Sequence, residues 1–415
     1  MSVRRVAAVA VAIALLAPFP ISAQTSPLTL PQALHKALTA NARLAVAERE
    51  VGMAEGRRQQ AGAYPNPQVY FELDNAFAAG KHAETTLQLS QIIELGGKRD
   101  ARVTAALAGA DAARYQQEAA RLELLSDVAM AFVAVLAAQQ RIQLLDRQIA
   151  VLERLTPLMQ RRVEAGASSP ADVLRTQAAV GLVRVERERA RTAAAAARRD
   201  LTAQMGATVP EFTIVTGQFT RIGHPLAFDT ILRAVEANPQ LLRWTAVRAQ
   251  RDAELLSARL KPIPDVQASL GWRHYTETGN NGIRAGVTIP IAVLDRNRGA
   301  IREAHEAAAK TEAERAVNKL TLIAVVGRAY ETINGALQEI DLLRRSVLPP
   351  ARQAFETVES GYAQGRFTLL ELLDTYRLVT DAELREQQAL QSFHTAVATI
   401  EGLTGAPLAL TGARP

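Results

Sequence analysis

Apolar residues recur at alternating steps of four and three between residues 124 and 152. A repeat of 3.5 residues held over four heptads predicts a long helix that packs through a coiled-coil seam. From about Gly97 to Ala165 the only proline is Pro157. A helix of roughly 65 residues spans about 100 Å, too long for a globular domain. The seam residues are Leu124, Val128, Ala131, Val135, Ala138, Ile142, Leu145, Ile149 and Leu152. A second series predicts a similar helix at Ile323, Val326, Tyr330, Ile333, Leu337 and Ile340.

Four short segments instead alternate apolar and polar residues, at 69–74, 84–90, 266–273 and 283–289. This period of two predicts strands with one apolar face, joined by turns at 78–81 and 278–282. A soluble sheet packed on helices is one interpretation. A second interpretation is a set of transmembrane strands, because a membrane strand needs about 9–11 residues with one lipid-facing row. Four strands cannot close a barrel, and a bilayer excludes open edges, so three copies are expected to join. The predicted aromatic girdle of this barrel is Phe77, Trp272 and Tyr275.

The chain contains two copies of one unit of about 200 residues. Asn41 recurs as Asn238, and residues 65–69 (PNPQV) recur as residues 262–266 (PIPDV), both 197 positions later. Gly166 and Gly206 recur 199 positions later as Gly365 and Gly405. Such a long fixed period indicates an internal repeat. We predict a signal peptide at 1–23, a first repeat at 24–206, a linker at 207–225, a second repeat at 226–405 and a tail at 406–415.

The pattern also suggests how the returning helices are completed. In the first copy, helical pattern at 171–204 and at 228–260 is expected to form two helices stacked end to end. In the second copy the return stops near Leu403, and the N-terminal helix at 31–63 is expected to supply the missing upper segment.

The N-terminus predicts export. Arg4 and Arg5 precede an apolar run at 6–17, and Ile21-Ser22-Ala23 resembles a cleavage site after Ala23. Twelve apolar residues are too few to span a bilayer, which needs roughly 20, and no later run qualifies as a transmembrane helix. The chain has no cysteine, which excludes disulfides, thiol chemistry and an acylated N-terminal cysteine. The net charge is +6, but basic and acidic residues are interleaved, so nucleic-acid binding is not predicted.

No motif for catalysis, a cofactor or a metal is present. Gly96-Gly97-Lys98 lacks both the upstream glycine and the following hydroxyl residue of a phosphate-binding loop. His305-Glu306 is not followed by a second histidine at zinc-ligand spacing, and the six histidines are scattered. An enzyme is therefore not predicted.

Several segments together resemble the TolC-like outer-membrane efflux family over nearly the whole mature chain. They are residues 28–34 (LTLPQAL) with Asn41, Gly166 followed by residues 172–174 (DVL), and residues 362–365 (YAQG) followed by residues 371–374 (ELLD). Residues 91–99 (QIIELGGKR) and 294–299 (LDRNRG) resemble the heavy-metal-efflux, CzcC-like branch in particular.

This resemblance implies a mainly α fold with a small β part. Each trimer is expected to contain a 12-stranded outer-membrane β-barrel, with four strands per chain, continuing into a long α-helical coiled-coil barrel. The implied function is a passive exit duct for metal cations in a tripartite system. The implied partners are a periplasmic adaptor, an inner-membrane RND-type pump and outer-membrane lipid, with no cofactor. Two alternatives remain open: the same duct for organic drugs or type I protein secretion, and a periplasmic coiled-coil scaffold without a pore.

Functional side chains are expected at the tips of the helical hairpins. Glu371 and Asp374 are three residues apart and share a helix face. In a threefold assembly each carboxylate becomes a ring, and charged rings at a constriction select and gate ions. An ordinary solvated hairpin with local pairs such as Asp374–Arg377 is the alternative. The predicted constriction residues are Tyr362, Glu371, Asp374, Asp172 and Arg175. The predicted adaptor-docking residues are Gly166, Ala167, Ser168, Ser169, Gly365, Arg366, Phe367 and Thr368.

Overall fold

The structure is a computed structural model that describes residues 27–75 and 83–408 and the backbone of 410–414. The predicted signal peptide, Phe77 and the turn at 78–81 lie outside these residues. The helices are α1 Leu30–Ala40, α2 Ala42–Ala61, α3 Lys98–Glu164, α4 Pro170–Gln204, α5 Phe228–Val235, α6 Pro239–Leu260, α7 Arg298–Leu342, α8 Leu348–Ala363 and α9 Leu369–Thr404. A π-helical turn, Leu343–Val347, joins α7 to α8.

The long helix α3 begins and ends within one residue of the predicted limits. Its alanine-rich sequence favours helix and lets neighbouring helices approach closely. The buried face is wider than the predicted seam, since Phe132 and Leu136 are buried beside Val128 and Val135. The reason is that α2, α4, α6 and α9 all pack against α3.

A segment of α3 is long and apolar enough to cross a membrane by length and composition, which differs from the sequence-based prediction. This segment carries the middle of the main core, where Leu124, Val128 and Phe132 pack with Leu390 of α9. Only 39% of the window is buried inside the chain. Core packing therefore accounts for part of its apolar character, and the other residues between 124 and 140 are half-buried within one chain.

The predicted strands form an antiparallel sheet in the order β2, β3, β6, β7. In this sheet Leu87 lies opposite Phe71 and Trp272, and Trp272 lies opposite Ile283, so these four residues form one row. The row is exposed, from 43% at Trp272 to 85% at Ile283. The turn between β6 and β7 occupies residues 276–279 rather than 278–282, because residues 280–282 already pair with β6. The strands are β2 Gln68–Asp74, β3 Glu84–Ile93, β6 Val266–Tyr275 and β7 Asn280–Thr288.

Two small sheets tie the linker to both ends of the chain. β1 (Leu28–Thr29) pairs in parallel with β4 (Val215–Thr216), and β5 (Ile222–Pro225) pairs antiparallel with β8 (Leu410–Arg414). The linker inserts Phe212, before β4, and Phe219, between β4 and β5, into the core around the middle of α3. These contacts form the waist of the molecule, where α4 and α9 end.

The stacking of the shorter helices differs from the sequence-based expectation. Asn41 caps the start of α2, and its Nδ2 donates to the Gln204 carbonyl at the end of α4, at 2.7 Å. Asn238 likewise caps α6, and its Nδ2 donates to the Leu403 carbonyl near the end of α9, at 2.6 Å. Helix α4 therefore meets α2, and α9 meets α6. The expectation that α4 continues into 228–260, and that the N-terminal helix completes the second copy, is wrong. One buried asparagine, Asn41, thus joins α2 to α4, and a second, Asn238, joins α6 to α9.

Candidate functional site

The predicted site lies at two helical hairpin tips at the end of the molecule opposite the sheet. Gly166 (φ +70°) and Gly365 (φ +78°) adopt left-handed backbone conformations that favour glycine, one in each turn. Ser169 caps α4 by accepting a hydrogen bond from the Ala171 N–H at 3.2 Å. Thr368 caps α9 and forms a capping box with Glu371. The tight reversals that the sequence predicted are therefore present at both tips.

Arg162 joins the two tips, and sequence reasoning did not single it out. Its Nε donates to Ser168 Oγ at 3.1 Å, and its Nη2 donates to the Ala167 carbonyl at 3.3 Å. Its Nη1 donates to the Tyr362 carbonyl, and the guanidinium lies over the Tyr362 ring, 4.6 Å from the centroid. Arg162 therefore stabilises its own turn and binds it to the tip of the second hairpin of the same chain. The only sequence signal is its position just before the turn, because its main partner lies 200 residues away.

Tyr362 lies in the interior of the tip region. It is 1% exposed and packs in a cluster with Leu155, Met159 and Leu372. Its hydroxyl oxygen is buried and has no hydrogen-bond partner among the residues that the structure describes. Within a single chain, Tyr362 supports the tip from the inside and is not part of the exposed surface.

The two carboxylates of α9 that were predicted to line the constriction have different surroundings. Glu371 Oε2 accepts hydrogen bonds from the Thr368 N–H at 2.7 Å and from Thr368 Oγ1 at 2.8 Å. These bonds lower the pKa of Glu371, so its carboxylate stays ionised and fixed as a helix cap. Asp374 is exposed and has no hydrogen bond or ion pair with any described side chain. The local pair Asp374–Arg377 considered above is not formed, so Asp374 is the carboxylate available for an outside partner.

On the first tip, Asp172 and Arg175 form an ion pair at 3.8 Å. The Asp172 side chain is half-buried, whereas Arg175 is exposed. In the described ranges, no group of three histidine, aspartate or glutamate side chains is placed to hold a metal ion. The acids of the tips are therefore arranged singly or in pairs rather than as a chelating cluster.

The outer surface of the tips combines glycine turns with exposed apolar side chains. Gly166, Ala167, Gly365 and Arg366 are exposed, whereas Ser168 and Phe367 are half-buried. Phe367 covers Gly361, where a side chain would collide with its ring. One leucine shortly after each turn is exposed to solvent, Leu174 (65%) on the first hairpin and Leu370 (73%) on the second. Each tip thus presents an exposed leucine close to its glycine turn.

The predicted aromatic girdle requires a correction at Tyr275. Trp272 shares the apolar face of the sheet with Leu87 and stacks on His274 at 5.8 Å. Tyr275 is paired with Glu84, and its odd separation from Trp272 places it on the opposite, polar face. The two aromatic residues therefore cannot belong to one lipid-facing girdle. The alternation along β6 already places Trp272 and Tyr275 on opposite faces.

The segment 91–99 forms a joint between sheet and helices. Lys98 pairs with Asp265 at 2.8 Å, and Arg102 pairs with Glu94 at 2.7 Å. The Arg99 Nε donates to the Gly62 carbonyl at the end of α2, at 2.8 Å. These bonds tie the start of α3 to α2 and to the start of β6, so this motif fixes the geometry of the joint.

Comparison with known proteins gives consistent results. A family model described as outer membrane efflux protein matches residues 33–207 and 230–406. The cobalt-zinc-cadmium resistance protein CzcC of Cupriavidus metallidurans is 30% identical over 379 residues, which cover 91% of this chain and 90% of that protein. The nickel and cobalt resistance protein CnrC of the same organism is 27% identical over 258 residues, 61% of each. The fold is similar to that of the outer membrane protein VceC of Vibrio cholerae, with a TM-score of 0.75, 16% identity and coverage of 91% of this chain and 96% of that one.

Proposed function

Because this chain belongs to the outer membrane efflux protein family, we propose that three copies assemble into a passive exit duct. The family comprises outer membrane efflux channels rather than enzymes. In the proposed trimer, three four-stranded sheets close a twelve-stranded barrel, and the helices of the two repeats form a tunnel that extends into the periplasm. A periplasmic adaptor and an inner-membrane RND-type pump complete the tripartite system.

The observation that carries the proposal is the sheet. Its apolar row of Phe71, Leu87, Trp272 and Ile283 is exposed, and no helix of the described residues covers it. Its outer strands β2 and β7 each have an unpaired edge within the described chain. A bilayer solvates such a face but excludes open edges, so edge-to-edge closure with further copies satisfies both conditions. The alternative of a periplasmic scaffold without a pore does not account for this exposed apolar face. Family membership also argues against that alternative.

Reconstitution in planar bilayers tests the duct. We expect the purified protein to migrate as a trimer and to give stepwise ion conductance. Leu87→Asp places a charge in the lipid-facing row and is expected to abolish insertion, whereas Gln88→Asp on the opposite face of the same strand is expected to insert normally. A monomer that inserts into bilayers, or a Leu87→Asp variant that inserts as well as Gln88→Asp, contradicts the proposal.

We propose divalent metal cations as the cargo. The support is the similarity, over most of both chains, to a protein named for cobalt, zinc and cadmium resistance. A deletion strain is expected to become sensitive to these cations, and the wild-type gene is expected to restore resistance. Sensitivity to dyes or detergents without metal sensitivity indicates the alternative cargo of organic compounds. Loss of a secreted polypeptide indicates type I secretion.

At the tips we propose a constriction in which Asp374 supplies the ring of carboxylates. Glu371 contributes by capping α9, Tyr362 by supporting the tip from inside, and Asp172 with Arg175 by flanking the opening. The support is that Asp374 is exposed and lacks an internal partner, whereas the Glu371 carboxylate is occupied by Thr368.

Conductance separates these roles. Asp374→Asn is expected to weaken cation preference without changing stability, because it removes three exposed charges at a narrow point. Glu371→Gln is expected to change selectivity less and to affect the stability of the tip more. Unchanged selectivity in Asp374→Asn, or a larger selectivity change in Glu371→Gln, contradicts this assignment.

The tip turns are our proposed adaptor-docking sites, through Gly166, Ala167, Ser168 and Ser169 on one hairpin and Gly365, Arg366, Phe367 and Thr368 on the other. The exposed turns and the bare Leu174 and Leu370 support this role. Since the chain has no cysteine, Ala167→Cys and Arg366→Cys each introduce a unique thiol for crosslinking. Both are expected to capture the adaptor, whereas Arg315→Cys, an exposed control on α7, is not. Equal capture at all three positions, or capture at none, counts against docking at the tips.

A further inference from the structure

The ends of four helices surround one end of the sheet, where β3 ends and β6 begins. Ile93 and Val266 pair at this end of the sheet, and Thr288 pairs with Gln267 beside them. Helices α2 and α6 end here, and α3 and α7 begin here. We call this region the junction rim and define it as residues 55–67, 94–103, 254–265 and 289–303. In the proposed trimer it lies where the barrel meets the periplasmic tunnel.

The rim contains two classes of cation. Lys98, Arg99 and Arg102 bind carboxylates or helix carbonyls within the chain, as described above. A second set is exposed and has no hydrogen bond or ion pair from its side chain to the described residues. This set is Arg57, Arg259, Lys261, Arg296, Arg298 and Arg302.

Equivalent arginines in the two repeats, Arg99 and Arg298, differ in their contacts. Arg298 follows Arg99 by 199 residues, which is the repeat offset. Arg99 donates to the Gly62 carbonyl and lies over the Tyr64 ring, 4.5 Å from the centroid, whereas Arg298 is without such partners in the described chain. The cations of the second copy are therefore not needed to build the joint. They outnumber the exposed carboxylates of the rim, Asp100, Asp295 and Glu303.

Bare apolar side chains lie among these free cations. Ile291 is 83% exposed and Leu294 is 98% exposed, and Arg296 follows two residues later on the same connector. Solvent-exposed leucine beside arginine is unfavourable in water but is typical of segments at a membrane interface. Among the described residues, the opposite end of the sheet carries Asp74 and Glu84, and Glu84 pairs with Arg273 at 2.7 Å. Within the described residues, the cations without a partner are thus concentrated at the helix end of the sheet.

From these observations we propose that the junction rim binds the phosphate groups of anionic phospholipids in the inner leaflet of the outer membrane. The free guanidinium groups make charge-assisted hydrogen bonds to phosphate oxygens, and Ile291 and Leu294 lie among the upper acyl chains. This inference rests on the proposed outer-membrane duct, because only that placement brings the rim to the level of the headgroups.

Lipid retention tests the inference. The assembled wild-type protein in detergent is incubated with equal amounts of phosphatidylcholine and phosphatidylglycerol, and the bound lipids are quantified after gel filtration. The rim variant carries Arg259→Gln, Lys261→Gln, Arg296→Gln and Arg298→Gln. The control variant loses the same charge at exposed positions away from the rim, through Arg147→Gln, Arg315→Gln, Arg328→Gln and Arg385→Gln.

We expect wild type and control to retain phosphatidylglycerol preferentially. Each cation removed from the rim is expected to reduce this preference by about fivefold at low salt, so the rim variant, which loses four, is expected to lose at least about tenfold. High salt is expected to reduce the preference in all three proteins. A rim variant that keeps the preference of the control overturns the proposal.

A rim variant that fails to form trimers also overturns it, because the cations then serve contacts between subunits. The milder pair Lys261→Gln and Arg296→Gln, both in connectors outside the helices, checks this outcome with less risk to folding. If wild-type protein inserts and conducts but shows no preference for phosphatidylglycerol, only the lipid inference fails. If wild-type protein neither assembles nor conducts, the proposed duct itself fails.

Discussion

Replacing Arg162 with alanine tests the tip clamp most directly. The part of its interaction that crosses between the hairpins is the hydrogen bond to the Tyr362 carbonyl and the contact with the Tyr362 ring. A hydrogen bond from a charged donor contributes roughly 1.5–3 kcal/mol, and a partly exposed cation–π contact contributes about 0.5–1 kcal/mol. Because Arg162 is half-buried, we use the lower values, which give about 2 kcal/mol per chain.

A change of about 2 kcal/mol shifts the equilibrium between joined and separated tips roughly thirtyfold. Single-channel recording in planar bilayers is the assay. Arg162→Ala is expected to increase the open fraction of the channel markedly. Arg162→Lys keeps the charge but loses the planar fork, so an intermediate effect is expected. Arg161→Ala is the matched control, since Arg161 hydrogen-bonds the Pro157 carbonyl of its own helix at 3.4 Å.

The reasoning is refuted if Arg162→Ala assembles normally and has the same open fraction as Arg161→Ala. Equal increases in both variants also refute it, because Arg161 makes no bond between the tips. Thermal unfolding of the trimer, followed by circular dichroism, shows whether either change disrupts the fold.

Three further predictions concern single side chains. Tyr362→Phe is expected to leave the open fraction and the unfolding temperature unchanged or slightly raised, because the lost hydroxyl has no partner in the described chain and the ring remains under Arg162. Asn238→Ala is expected to destabilise the fold by about 2–4 kcal/mol in denaturant unfolding, since it removes a helix cap and leaves the Leu403 carbonyl unpaired. Asn238→Asp keeps the cap oxygen but loses the amide donor to the Leu403 carbonyl, so it is expected to remain less stable than wild type, and a variant as stable as wild type contradicts the bridging role. Burial raises the pKa of Glu401, so its contribution to stability is greatest at acidic pH and is lost as pH rises through the raised pKa. Glu401→Gln, which keeps an acceptor for the Leu408 N–H, is expected to remove this decline in the unfolding temperature towards neutral pH, and an unchanged pH profile contradicts the assignment.

The sequence was most informative where a feature depends on nearby residues. The limits of α3 were predicted within one residue, because a heptad pattern and the absence of helix breakers act locally. The strands were predicted for the same reason, and the turn glycines Gly166 and Gly365 have the conformations that their positions require. The capping role of Glu371 was also accessible from the spacing of Thr368 and Glu371, although a charged ring was favoured instead.

Contacts between distant segments were less accessible. Arg162 and Tyr362 are 200 residues apart, and nothing in either neighbourhood indicates that they meet. The family resemblance led to the tips as a region but gave no reason to select Arg162. The contrast between free and paired cations at the junction rim likewise depends on which carbonyls and carboxylates lie within reach.

The sequence by itself determined the helices and the strands, because periodicity and turn chemistry are properties of short stretches, and its resemblance to a known family indicated the class of protein. Only the tertiary structure decided which helix meets which. Asn41 and Asn238 each provide a cap oxygen that serves the following helix and an amide group that can reach any nearby carbonyl. The sequence fixes the first role, but the choice of Gln204 and Leu403 as partners follows from how the waist is packed. That packing joins α2 to α4 and α6 to α9. The order of elements along the chain does not specify these pairs.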